Sequence, residues 1–173
     1  TTAGRQQETA VIMNWRFNES FVLSANMHGG ALVANYPMDN SPSGSAVYTA
    51  CPDDDLFIDI SLEYAEDNAP MSASPSFPNG ITNGADWYVV SGGMQDWNYF
   101  WLGCNEITLE LSNTKSPAHS QIPTFWSQNQ ESMISYLERV WDGVRGVVTD
   151  SVTGDPVFAT ITVGGRDHGV FTC

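Results

Sequence analysis

At 173 residues the chain has the length of one domain of ordinary size, and 42% hydrophobic with 12% aromatic residues is enough to bury a core and too much for a disordered chain. Six Lys+Arg against 20 Asp+Glu leave a formal net charge of −14. That balance argues against phosphate backbones and anionic membrane surfaces, which need clustered bases, and is compatible with a cationic ligand or with solubility alone. No run of about 18 apolar residues is present to span a membrane, and residues 1–10 are polar rather than leader-like.

In chain order, residues 21–26 are short, apolar and partly β-branched, as a buried strand is, and His28-Gly29-Gly30 follows the strand end. Residues 40–50 are rich in Ser, Gly and Pro and read as loop. Pro52-Asp53-Asp54-Asp55 opens a helix to about Asp67, with acids in its first turn and Phe57, Ile60 and Tyr64 on one stripe. Residues 69–84, with Pro70, Pro75, Pro78, Gly80 and Gly84, predict a long irregular loop of the kind that lines sites. Residues 87–90 predict a short strand before a turn at Ser91-Gly92-Gly93. Residues 106–112 alternate strictly, placing Glu106, Thr108 and Glu110 on one face and Ile107, Leu109 and Leu111 on the other. Residues 127–141 predict a helix with Met133, Ile134, Leu137, Val140 and Trp141 on its apolar stripe, ended by Gly143. Beyond it, residues 144–150 and 157–165 are β-like runs around the turn sequence Thr153-Gly154-Asp155-Pro156. Strands alternating with helices make an α/β protein, followed by the opening of an all-β module.

The polar candidates stay open on residue type and spacing alone. His28 suits a metal ligand, a catalytic group or a hydrogen-bonded structural residue. Glu110 lies mid-strand, which implies pairing, function or exposure on an edge strand. Asp39, after Tyr36-Pro37-Met38, has the place of a turn acid. Cys51, Cys104 and Cys173 allow one disulfide and a leftover thiol, without the spacing of a cysteine zinc site. Asn18-Glu19-Ser20 is a glycosylation sequon for a chain in the secretory pathway.

The segment FVLSANMHGGALVANYPMD, residues 21–39, resembles the one around the third zinc ligand of zinc carboxypeptidases of the N/E subfamily. Further matches follow in family order at residues 52–55, 79–88 (with Trp87-Tyr88), 91–96 and 106–112. Residues 143–165 resemble the start of the transthyretin-like domain that follows the catalytic domain in this subfamily. The resemblance implies a mixed central sheet flanked by helices, with 1–142 as the C-terminal half of a catalytic domain and 143–173 as an incomplete transthyretin-like β-domain.

By the same resemblance His28 is a ligand of one Zn²⁺ and Glu110 the glutamate that works on zinc-bound water. Tyr88 closes over the substrate, and Asp39, with Gln95 lining the same pocket, selects C-terminal Lys or Arg. Implied partners are basic peptide or protein C-termini, with no nucleic acid, and the implied location is the secretory pathway or the extracellular space. The family's other two zinc ligands come from an HxxE motif, which this chain lacks: three residues after His28, His119 and His168 stand Ala31, Ile122 and Phe171. Neither Arg5 nor Arg16 is assigned to the family's substrate-binding arginines, and His119 and His168 are expected to be surface residues. A catalytic zinc needs about three protein ligands. The expectation is therefore a fragment, inactive alone, with an open sheet edge that the N-terminal half of the same domain covers. The competing expectation is a non-catalytic, carboxypeptidase-like peptide-binding module. An acidic, Trp-rich carbohydrate-binding domain ranks below both, since the 6 tryptophans scatter through helices and loops.

Overall fold

The computed structural model describes residues 1–166 and 169–171, so His168 and Cys173 lie outside the described residues. Its centre is a mixed four-stranded sheet in the order β1-β4-β2-β3, formed by Leu23–His28, Asn105–Ser112, Ala31–Tyr36 and Ile81–Asn83. β4 runs parallel to β1 and antiparallel to β2, while β3 adds parallel to β2. Only Gly29 and Gly30 separate β1 from β2, yet β4 inserts between them, and the Gly30 N–H continues the ladder onto the Ser112 carbonyl at 2.8 Å. Gly30 has φ 125°, and a Cβ there would lie 2.9 Å from the Lys115 side chain, so this switch needs glycine. The α/β architecture with a mixed sheet and flanking helices is the one the resemblance implied.

Alternation along β4 sorts the two faces. Ile107 and Leu109 enter an apolar core with Ala34 and Tyr36 of β2, Phe57, Ile60 and Tyr64 of α2 (Asp54–Glu66) and Tyr136 of α6 (Ile122–Glu138). The other face carries Glu106 and Glu110, against which α1 (Gln7–Asn18) and α5 (Met94–Leu102) bring Arg16 and Asn98. Because β4 is a central strand, both glutamates are buried, at 0% and 4% exposure, and the edge-strand reading of Glu110 falls. β1 is the edge strand instead, half-buried over most of its length, and His28 is its last residue rather than the one beyond it.

Several expected elements are corrected. The 69–84 loop contains a one-turn helix α3 (Ala69–Ser72), a 3₁₀ turn (Pro78–Gly80) and β3. The strand expected at 87–90 does not form: Trp87 ends a short helix α4 (Gly84–Trp87), where the Asn83 side chain accepts from the Asp86 N–H and caps the turn, and residues 88–90 are not strand. α6 begins five residues before the expected start, at Ile122 with proline in its first turn, and a 3₁₀ turn (Arg139–Trp141) follows it. Its stripe is also rotated: Ile134, Leu137 and Trp141 are exposed, whereas Asn129, Ser132 and Tyr136 are buried. Asn129 and Tyr136 hold that face through hydrogen bonds, while Ser132 Oγ is buried there with no partner among the described residues. Asn129 Oδ1 accepts from Tyr64 Oη at 2.9 Å and Asn68 Nδ2 at 3.0 Å. Residues 144–150 contribute only a bridge, Thr149 to Pro156, and a two-stranded sheet follows, β5 (Thr160–Thr162) with β6 (Gly169–Phe171).

Tyr136 fastens α6 to the edge strand, its hydroxyl donating to the Ser24 carbonyl at 2.8 Å from a side chain 3% exposed. Tyr136→Phe leaves that carbonyl without its donor. We expect a loss of about 1–2 kcal/mol, read as a lower urea midpoint with an unchanged slope.

Candidate functional site

His28 and Glu110 sit opposite each other in the β1–β4 register, and His28 Nδ1 lies 2.9 Å from Glu110 Oε1. The pair spans the surface: the His28 side chain is 54% exposed and that of Glu110 5%. Glu110 Oε2 is buried and has no hydrogen-bond partner among the described residues. An imidazole and a carboxylate converging at the end of a strand pair, with one acceptor left over, suit a metal or a proton-transfer task. Among the described residues no group of three His, Cys, Asp or Glu side chains is placed to hold a metal ion. The half-exposed His28 imidazole is a donor that zinc takes, and it fits as one part of a site.

A second cluster is built on the segment after β2. Asp39, 7% exposed, accepts at Oδ1 from Asn35 Nδ2 at 3.0 Å and from Gln95 Nε2 at 3.1 Å. Burial, the largest influence, pushes the Asp39 carboxyl up to about 6; the Asn35 bond opposes this, and the charges of Asp96 and Glu106 add to it. The amide oxygens of Asn35 and Gln95 are themselves buried without a partner among the described residues, so the cluster around Asp39 offers acceptors that no donor there matches. Gly84 makes the room: a Cβ there would lie 1.9 Å from Asp39 Oδ1 and 2.9 Å from Asn35 Oδ1.

Tyr88 links the two clusters. It follows α4, its side chain is exposed, and its hydroxyl is pushed up first by burial and then by the charges of Glu110 and Asp39. Its ring stacks edge-on against Trp87, which meets Phe77 in the same way, with centroids 4.6 and 5.1 Å apart. The five residues singled out from the sequence thus fall into two pairs, His28 with Glu110 and Asp39 with Gln95, and Tyr88, which feels the charges of both Glu110 and Asp39.

Asn35 and Asp96 were missed. Asn35 is four residues before Asp39 on a strand the sequence reading left unassigned, so nothing placed its side chain. Arg16 is buried at 3% exposure on α1, donating to Asn98 Oδ1 at 3.0 Å, with its guanidinium over the Phe21 ring. It supports the far end of this face, where Glu106 accepts from Ser24, Asn26 and Asn98. Cys51 and Cys104 are free thiols buried apart from the site, and His119 lies in an exposed 3₁₀ turn, as expected of a surface residue.

The family model described as zinc carboxypeptidase matches residues 1–132. The chain is 46% identical to human carboxypeptidase D over 177 residues, covering 96% of this chain and 13% of that protein. It is 46% identical to mouse carboxypeptidase M, covering 95% and 39%, and 43% identical to carboxypeptidase SOL1 of Arabidopsis thaliana, covering 96% and 34%. The chain therefore spans well under half the length of these relatives.

Proposed function

The chain belongs to the zinc carboxypeptidases, in the subfamily that includes carboxypeptidases D, E and M, and on that footing we propose that it carries the proton-transfer glutamate, one metal ligand and the specificity pocket of an exopeptidase that removes C-terminal Lys or Arg. The observation that carries the substrate class is the Asp39 pocket, a buried carboxylate beside two amide oxygens that lack donors. A guanidinium or ammonium supplies those donors in one step, a charge-assisted contact worth roughly 1.5–3 kcal/mol.

His28 would hold the zinc, and two further ligands would come from an HxxE segment outside this chain. Zinc, when bound, polarises the scissile carbonyl and makes water acidic enough to attack near neutral pH. Glu110 removes the proton from the attacking water and returns it to the departing amine, work typically worth about 10²–10⁴ in rate. Its burial excludes bulk water, and the unpartnered Oε2 is the oxygen left to take that proton. Tyr88 would close over a substrate whose basic side chain lies against Asp39; its exposure, and the charges of Glu110 and Asp39 acting on its hydroxyl, support that role.

The same reading assigns residues 143–173 to the opening of a transthyretin-like β-module and places the protein in the secretory pathway or outside the cell. There the exposed Asn18 of the sequon is a glycosylation site. The testing experiment supplies the full-length protein with zinc and a peptide ending in arginine. Release of free arginine, with one zinc per catalytic domain, is the expected result. Tight binding of the peptide without release identifies a peptide-binding module instead.

A further inference from the structure

Asp96 is a buried carboxylate in the first turn of α5 that does not serve its own helix. An acid there ordinarily pairs with the free N–H groups and the dipole of the helix that bears it. Here Oδ1 accepts from the Asp39 N–H at 2.8 Å and Oδ2 from the Asn40 N–H at 2.9 Å. The preceding residue, Gln95, reaches the Asp39 carboxylate itself. One helical turn therefore grips the segment twice, by its main chain through Asp96 and by its side chain through Gln95. The Val90 N–H, donating to the Asp39 carbonyl at 2.9 Å, closes the frame.

This arrangement carries an electrostatic cost. Burial pushes the Asp96 carboxyl up, and only its two main-chain bonds pull it down. Its charge in turn makes ionisation of Asp39 harder. The carboxylate meets the two adjacent N–H groups with a separate oxygen each, whereas an asparagine of the same length has one acceptor oxygen for both.

Resting on the reading of Asp39 as the acid that meets a basic side chain, we infer that Asp96 is a positioning residue for substrate specificity: by clamping the main chain at residues 39 and 40 it sets where the Asp39 carboxylate points. The charged or titratable groups facing Asp39 are Asp96 from α5, Glu106 from β4 and the Tyr88 hydroxyl, with the neutral amides of Asn35 and Gln95 bonded to it.

The test uses the full-length, zinc-loaded protein, peptide pairs ending in arginine or leucine, and calorimetric titration with free arginine and free leucine. Asp96→Asn is expected to lower the arginine-over-leucine ratio of kcat/KM by roughly 10–100-fold, the scale of a misplacement of about 1 Å. It also moves the acid limb of arginine binding to lower pH, since a repelling charge has gone. Asp96→Glu keeps the charge while shifting the carboxylate, so it lowers the ratio and leaves the limb in place; it also serves if Asp96→Asn does not fold. Ratios within twofold of wild type in both variants overturn the inference, whatever happens to stability. A wild-type protein that does not favour arginine overturns the role of Asp39 itself, and this result is separate from the behaviour of the variants.

Discussion

Glu110→Gln is expected to lower kcat/KM for a peptide ending in arginine by at least about 10²–10⁴-fold while zinc content and KM stay near wild type. Glutamine keeps the shape and one acceptor oxygen opposite His28, so the 2.9 Å contact with Nδ1 can persist with that ring nitrogen donating. What glutamine cannot do is accept and return a proton. The side chain is 5% exposed and Oε2 has no partner among the described residues, so glutamine leaves no carboxylate oxygen at the place where the proton is to be taken up. Metal analysis separates the outcomes. Lost activity with zinc retained assigns Glu110 to proton transfer, lost activity with lost zinc makes it part of the metal site, and retained activity removes it from the reaction.

Asp39→Asn is expected to lower the preference for arginine over leucine about 10–150-fold, the span set by a charge-assisted contact of roughly 1.5–3 kcal/mol. The variant keeps the shape of the side chain and removes the charge. In the wild-type protein the preference should itself depend on pH. With the carboxyl pushed up to about 6 by burial, Asp39 is anionic above that pH and neutral below it, so the preference is full at pH 7–8 and fades as pH falls through 6. The asparagine variant gives a flat ratio over the same range. The linkage to stability has the opposite sense. A carboxyl whose folded value lies above its unfolded value, near 3.9, binds more protons in the native state between about pH 4 and 6. Its contribution to stability is therefore present below pH 4 and lost as pH rises through 6. A cation bound against Asp39 is therefore expected to raise stability most at pH 7–8, where that carboxyl is anionic.

Much of this site was legible because alternation with period two is a local property. Residues 106–112 declare a strand with Glu106 and Glu110 on one face, and the structure places both there. The helix at 54–66 was equally plain, since its acids open it and Phe57, Ile60 and Tyr64 all reach the core. α1 was not legible. Val11, Ile12, Trp15 and Phe17 point outward around it while Met13 and Arg16 are its buried residues, so no single apolar stripe marks it. In α6 the stripe was real in sequence and misleading in space, because a hydrogen-bonded asparagine and a tyrosine fill the side facing the sheet.

The alternating strand, the acid-opened helix and the excess of carboxylates over bases follow from neighbouring residues and overall composition, and these the chain states directly. Which carboxylate is buried, which amide oxygen is left without a donor, and that Asp96 in α5 holds the main chain at Asp39 depend on contacts 56 and 57 residues apart. Burial and hydrogen bonding set the chemistry of a polar group, and both are properties of the assembled sheet and helices rather than of any segment alone.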